Sequence, residues 1–342
     1  MKILVTGGAG YIGSHLCVAL LESGFQPVVL DNFSNSRPAV IDRLAAITAG
    51  CVPLAIGDIC DAAFLDRVFT EHEFIAVMHL AGVKSVEESC RIPLLYYQTN
   101  VGGALSLCAA MQRNGVRNLL FSSSATVYGA CATSPVREDG PLSAINPYGR
   151  SKLMVERILA DLVAAEPAST PPWCVAALRY FNPVGAHHSG LLGEQPLGVP
   201  NNLVPYVADV ALGKRPQLHI YGNSYPTRDG TGVRDYIHVM DLAEGHVAAL
   251  RHLLDLANGG YHVWNLGTGR GSTVLEVVAA FERASGRSVP YVIAPQRPGD
   301  VAESWADTER ARVELGWWAR RDLDQMMVDV WRWRLRDPDG VQ

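Results

Sequence analysis

No stretch of this chain is long and apolar enough to cross a bilayer. The longest apolar runs, such as 74–83, reach about ten residues and include His79, whereas a span needs roughly 18–20. No basic surplus exists either: 29 Lys and Arg stand against 34 Asp and Glu, a net charge of −5. Composition therefore makes no case for nucleic acid. There is no CxxC pair. The seven cysteines, at 17, 51, 60, 90, 108, 131 and 174, are scattered and odd in number. They read as small buried hydrophobes in a reducing cytosol, and a cytoplasmic location is expected. The opening MKILVTGG has no basic region followed by an apolar stretch, so it does not read as a signal peptide. A GxSxG elbow, which a Ser–His–Asp hydrolase of the α/β type would want, is missing. His187 and His188 are adjacent, so their side chains are expected to diverge. With no Cys or Asp cluster beside them, they read as loop histidines and not as metal ligands. Neither a repeat nor a low-complexity tract is present.

What is there is a globular composition. The 342 residues are 48% hydrophobic and 18% charged, enough for one large α/β domain or two modest ones. The first half alternates short apolar strands with amphipathic helices. Strands are expected at 2–6, 27–30, 52–56, 76–80, 119–123 and 175–179. Helices are expected at 12–23, 37–49 (capped by Ser36), 62–71, 94–114 and 148–165. Continuous apolar strands interleaved with helices imply a doubly wound parallel sheet of Rossmann type, covered on both faces. Residues 182–235 are rich in Gly, Pro and Asn and read mostly as loop, with one helix near 203–212. Periodicity returns at 236–253 and 273–285. Long loops in a compact domain are usually functional. The expected division is a dinucleotide-binding domain at 1–180 and a smaller C-terminal α/β substrate-binding domain at 181–342, with 235–267 returning to the first.

The first strand runs into Gly7-Gly8-Ala9-Gly10-Tyr11-Ile12-Gly13, which opens a helix. Glycines permit a tight turn and close approach of the backbone to a pyrophosphate, and the helix N-terminus offers free N–H groups to it. Asp31 ends the second strand, where a carboxylate can bind both ribose hydroxyls and repel a 2′-phosphate; this favours NAD over NADP. Asp58, in Gly57-Asp58-Ile59, closes the third strand within reach of the adenine amino group. Tyr148 and Lys152 form YxxxK on one helical face. The lysine cation and a positive nicotinamide ring are both expected to favour the phenolate. That phenolate takes a proton from a substrate hydroxyl while hydride leaves its carbon. Ser124 ends the preceding strand and is placed to share a hydrogen bond with the reacting oxygen.

These residues carry a resemblance. The chain resembles the extended short-chain dehydrogenase/reductases, and within them the UDP-glucose (UDP-galactose) 4-epimerases of bacteria. Matching segments are VTGGAGYIGSH (5–15), LDNFSNS (30–36), GDI (57–59), HLAGVKSVEES (79–89), FSSSATVYG (121–129), NPYGRSKLMVE (146–156), LRYFNPVGAH (178–187), VPNNLVPY (199–206), YGNSYPTRDGTGVRDYIHVMDLA (221–243) and NLGTG (265–269). They run in order along nearly the whole chain. The resemblance implies retained NAD, with Gly7, Gly10, Tyr11, Ile12 and Gly13 around the pyrophosphate. It assigns Asp31, Asn32, Phe33, Ser34, Asn35 and Ser36 to the adenosine ribose, and Asp58 and Ile59 to the adenine. Leu80, Ala81, Gly82, Lys84 and Asn100 line the other side of the cofactor, and Ser124, Tyr148, Lys152 and Phe181 its nicotinamide end. Thr99 stands where family members often carry another Asn.

For a UDP-hexose substrate the resemblance points to Lys84, Ser124, Thr126 and Tyr148 near the sugar. It points to Asn182, Asn202, Leu203, Arg234, Arg297 and Asp300 at the nucleotide diphosphate, where two arginines suit the phosphates. Ser304 stands where similar bacterial enzymes carry a bulky Tyr, so the range is expected to extend to 2-acetamido sugars. The implied reaction is epimerisation at C4 through a 4-keto sugar that is held by its UDP and swings before hydride returns. A 4,6-dehydratase or decarboxylase is the nearest rival, but it needs an acid beside the serine, where this chain has Ala125-Thr126. A non-catalytic NAD-sensing protein has no reason to keep Tyr148 with Lys152. A homodimer is implied through helices near 94–114 and 148–165.

Overall fold

The structure, a computed structural model, describes residues 1–130, 133–165, 171–195, 200, 202–297, 300–338 and 340. Seven parallel strands form its main sheet: β1 (Lys2–Thr6), β2 (Gln26–Asp31), β3 (Leu54–Ile56), β4 (Phe74–His79), β5 (Asn118–Ser124), β6 (Cys174–Tyr180) and β10 (Gly260–Leu266). Their spatial order is β10-β6-β5-β4-β1-β2-β3. Between β1 and β4 the winding reverses, and at such a switch point the loops diverge and leave a crevice. The inner strands are buried almost throughout, because helices cover both faces, whereas the edge strands β3 and β10 are partly exposed. On one face lie α1 (Tyr11–Glu22) and α2 (Ala39–Thr48), with α9 (Val239–Asp255) against α1. The other face carries α3 (Ala62–Glu71) and the helical run α4 (Val86–Arg91), α5 (Pro93–Tyr96) and α6 (Gly103–Arg113), followed by α7 (Pro147–Ala164).

Four differences from the sequence reading matter. The helix expected at 94–114 is interrupted by a π-helical stretch, Tyr97–Gly102, a departure common at functional sites. Ser36 does not cap α2; its hydroxyl donates to Asp31 Oδ1 at 2.8 Å, and α2 starts behind Pro38 without a side-chain cap. Residues 182–235 hold more than one helix: β7 (Asn182–Val184), α8 (Leu203–Ala211) and β8 (Leu218–Tyr221) lie there, and β9 (Val233–His238) ends the stretch. Of the 235–267 segment, α9 and β10 join the main sheet's layers, whereas β9 centres a second sheet. In that sheet β9 is flanked by β7, β11 (Gly271–Thr273) and β13 (Glu303–Ser304). A third, two-stranded sheet pairs β8 with β12 (Tyr291–Ala294). The rest of this part is α10 (Val274–Ser285), α11 (Glu309–Leu315) and α12 (Leu323–Arg336). The last two helices went unread.

Cysteine burial also departs from expectation. Cys17, Cys108 and Cys174 are buried, but Cys51, Cys60 and Cys90 are exposed; all six are free thiols. Cys131 lies outside the described residues. No helix among the described residues is long and apolar enough to cross a membrane.

Candidate active site

The glycine loop is dictated by contact distances. A Cβ on Gly13 would sit 2.2 Å from the Gly7 carbonyl oxygen, and one on Gly7 would meet Ala81 N at 2.8 Å. Gly7 is also left-handed, φ +70°, where only glycine is unstrained. Gly10 is different: a Cβ there meets only Gly7 O, at 3.2 Å, and Gly10 brings α1 no side-chain cap. Its smallness leaves the first-turn N–H groups open to an anion. Tyr11 reaches away, its hydroxyl donating to Gly185 O at 2.8 Å, and Ile12 packs against the core.

Asp31, at the end of β2, is almost fully buried. Oδ2 accepts from Ala9 N at 3.0 Å, tying down the glycine loop; Oδ1 accepts from Phe33 N at 2.9 Å and from Ser36. Phe33 is itself left-handed, φ +57°. Asn32 donates to Asp58 Oδ2 at 2.8 Å and accepts from Ser34 N at 3.0 Å. Asn35 extends the same turn. The Cys60 N–H, and after it Asn32, hold the Asp58 carboxyl below its usual range. Ile59 sends its side chain into the core.

Across the switch point, Leu80, Ala81 and Gly82 follow β4. Asn100, projected by the π-helical turn, is 3% exposed. Its amide accepts from Val83 N at 2.9 Å and donates to Val83 O at 3.1 Å and Ser151 Oγ at 2.9 Å. Its contacts thus shape the 80–84 loop. Lys84 Nζ lies 3.2 Å from Glu194 Oε1.

Asn146 caps α7, accepting from Gly149 N at 2.8 Å, with Pro147 in the first turn. That start presents Tyr148 and Lys152 on one face. Lys152 is buried; its Nζ donates to Ser122 O at 2.7 Å and lies 5.9 Å from the centre of the Tyr148 ring. Ser124 ends β5, accepts from Thr126 Oγ1 at 3.0 Å, and hydrogen-bonds Tyr148. Phe181 packs with Val127, Tyr128 and Leu153 beneath.

One expectation is corrected here. Burial raises the Tyr148 phenol above its ordinary value, more than the bond with Ser124 lowers it. Lys152 is desolvated too, its pKa brought down to about 8 by burial and partly restored by Glu156 one turn on.

A second group of side chains gathers on β9, on β8 and at Arg297, Asp300 and Ser304. Arg234 sits on β9, its Nη1 donating to Val233 O at 2.8 Å. Arg297 lays its guanidinium 3.7 Å from the centre of the Tyr221 ring, and Asp300 N donates to Arg297 O at 3.3 Å. Burial, then the nearby Asp300, raises the Tyr225 phenol, while Arg234 and Arg297 lower it, so the four side chains share one site. Ser304 pairs with Arg234 in register. Asn182 opens β7, and Asn202 precedes Leu203 at the start of α8. Pro298 and Gly299, between Arg297 and Asp300, lie outside the described residues, as do Val199 and Asn201.

This arrangement has close relatives. The sequence model of the GDP-mannose 4,6 dehydratase family matches residues 4–330. A UDP-glucose 4-epimerase of Bacillus subtilis (strain 168) is 56% identical over 342 residues, covering 100% of this chain and 99% of the relative. The chain belongs to the UDP-glucose 4-epimerase family. Among solved family structures, the UDP-glucose-4-epimerase of Stenotrophomonas maltophila, with bound NAD and formylated UDP-arabinopyranose, is 49% identical with a TM-score of 0.95, covering 99% of each chain. That of Bifidobacterium longum, in complex with NAD+ and UDP, is 47% identical with a TM-score of 0.94, covering 99% of this chain and 100% of the other.

Glu194, Tyr221 and Tyr225, which touch or lie near side chains of this site, do not stand out in the sequence. Tyr221 and Tyr225 lay inside a quoted segment but without a charge to draw attention. Glu194 lay in aperiodic loop. A second correction concerns the paired histidines. Their rings do not diverge; the centroids of His187 and His188 are 4.2 Å apart. His187 is buried and shares a 2.8 Å hydrogen bond with Ser189. Among the described residues no His, Cys, Asp and Glu are grouped to hold a metal ion.

Proposed function

We propose that this chain interconverts UDP-glucose and UDP-galactose with retained NAD. The observation that carries the reading is the Tyr148–Ser124 pair, in a fold that also builds the glycine loop and a cluster of two arginines with Asp300. The glycine cradle fits a dinucleotide, since a Cβ at Gly7 or Gly13 would collide with backbone and Gly10 leaves the helix end open. NAD is held by Gly7, Gly10, Tyr11, Ile12 and Gly13 at the pyrophosphate, Asp31 to Ser36 at the ribose, Asp58 and Ile59 at the adenine, and the 80–84 loop opposite. What it supplies when bound is a reversible hydride acceptor for C4 of the hexose. Tyr148 takes the C4 hydroxyl proton and later gives it back. Ser124 shares the hydrogen bond at that oxygen, and Thr126 orients Ser124. Lys152 holds positive charge near the phenolate. Arg234 and Arg297 hold the diphosphate, and Asp300 the nucleoside ribose. With affinity concentrated in the UDP, the sugar is free to turn and present either face.

The division of labour follows: residues 1–180 with the returning α9 and β10 hold the cofactor, and the remainder holds UDP. The two copies of a homodimer meet through α5, α6 and α7, where Leu94, Leu95, Leu105 and Met154 are exposed. The free thiols agree with a cytoplasmic, reducing location. A second substrate class, 2-acetamido UDP-sugars, is favoured by Ser304, which lies beside Arg234 across the β13–β9 pairing. Incubation with UDP-galactose, followed by chromatography, tests the reading. UDP-glucose is the expected product; no conversion even with added NAD, or a dehydrated sugar, would overturn it.

A further inference from the structure

Residues 185–194, which follow β7, are held more firmly than a loop requires. Ala186 bridges Gly193 antiparallel, and the His187 N–H donates to Leu192 O at 2.9 Å. A narrow hairpin results, with Gly185 and Glu194 at its base. Tyr11 of the glycine loop donates to Gly185 O at 2.8 Å, Arg43 of α2 to Leu191 O at 3.1 Å, and Arg332 of α12 to His188 O at 3.0 Å. Gly193 lies flat on the Trp333 indole, where a Cβ would come within 2.5 Å of the ring. All of this fixes the place of Glu194, whose side chain is 10% exposed. Its Oε1 accepts from Lys84 Nζ at 3.2 Å and from Asn202 Nδ2 at 2.7 Å. A carboxylate offers acceptors only, so Asn202 must turn its NH2 toward it, which settles the direction of the amide.

We propose that Glu194 is a positioning residue for the epimerase reaction. Through one oxygen it orients the Asn202 amide for the nucleotide diphosphate and Lys84 for the cofactor side, so both ends of the crevice take their geometry from one carboxylate. The inference rests on the proposed reading of Asn202 and Lys84 as ligand contacts.

Kinetics on the NAD-loaded enzyme test it. In Glu194→Gln the amide oxygen can still accept, but without the charge that strengthens both bonds. KM for UDP-galactose should rise about tenfold, the loss of a charge-assisted hydrogen bond. Turnover, kcat, should stay within about threefold, because Tyr148 and Ser124 are untouched. In an Asn202→Ala background the same change should alter KM by less than about twofold, since the partner is already gone. Glu194→Asp keeps the charge but withdraws it by one methylene; it should raise KM less and show the same non-additivity, and it serves if Glu194→Gln does not fold. The Kd for UDP, measured by calorimetry, should follow KM. An unchanged KM, a fall in kcat alone, or effects of Glu194→Gln and Asn202→Ala that multiply would overturn the proposal. A wild-type protein that binds UDP without turning over UDP-galactose would refute the proposed function and leave the Glu194 measurement readable.

Discussion

At the residue, the proposed chemistry turns on a phenol whose burial works against its own ionisation. Tyr148→Phe removes only a hydroxyl and the bond to Ser124. UDP-galactose turnover should fall by ~10²–10⁴, the usual loss for a general acid–base group, while nucleotide released on denaturation stays at the wild-type level. A fall below threefold would exclude Tyr148 as the base. Ser304 raises a steric question. A phenol ring placed there, beside Arg234, would fill space that a hydroxymethyl leaves open. Ser304→Tyr should therefore abolish activity on UDP-GalNAc and spare UDP-galactose. Wild-type enzyme that already leaves UDP-GalNAc untouched would remove the basis for this expectation. Both residues were legible in the chain: Tyr148 from its spacing to Lys152, Ser304 from a small residue in an otherwise familiar segment. The sign of the phenol's shift was not legible. It depends on how much water the fold excludes from Tyr148 and Lys152, and spacing says nothing about that.

The strand–turn–helix β1–α1 is the element on which the cofactor site depends. Its glycines do different work, and only contact distances separate them: Gly13 makes room for the loop's own backbone, whereas a side chain at Gly10 would meet little but Gly7 O. Gly13→Ala would drive a methyl to 2.2 Å from Gly7 O. The turn must open, at a cost of roughly 1–3 kcal/mol for an overpacked site. Purified Gly13→Ala should carry little NAD and melt earlier than wild type; unchanged nucleotide content and midpoint would contradict the account. Other elements were less legible. The interruption of the 94–114 helix carries Asn100 to Val83 and Ser151, yet its apolar spacing reads as continuous helix. A π-helical turn adds one residue to a single turn, and no particular residue type marks that insertion in the sequence.

Over the whole molecule, acid is the informative perturbation. Burial, the largest cause in each case, lowers His15 and His79 to about 3, and His187 and His246 to about 4, from an ordinary 6.5. Above 6.5 these groups are neutral in both folded and unfolded chains. Below it the unfolded chain binds protons that the folded one refuses, so stability is lost as pH falls from 6.5 toward 4. Each histidine contributes a slope of ~1.4 kcal/mol per pH unit. Denaturant midpoints should therefore drop steeply over that range. A flat profile between 6.5 and 5 would show that these imidazoles are protonated in the folded state.

Local pattern by itself determined the parallel sheet, the glycine loop, Asp31, Tyr148 with Lys152, and the order in which they occur. Strand and helix periodicity, turn chemistry and helical spacing act over a few residues, and the chain states them directly. Tertiary structure alone decided which distant groups meet. Arg297 reaches Tyr221, and Glu194 joins Lys84 to Asn202 across a separation of 110 residues on one side and 8 on the other. It also decided that β9 leaves the main sheet while β10 joins it, and which cysteines face solvent. Such outcomes follow from packing between elements that no short window of sequence contains, since burial and hydrogen-bond partners exist only once the layers have closed.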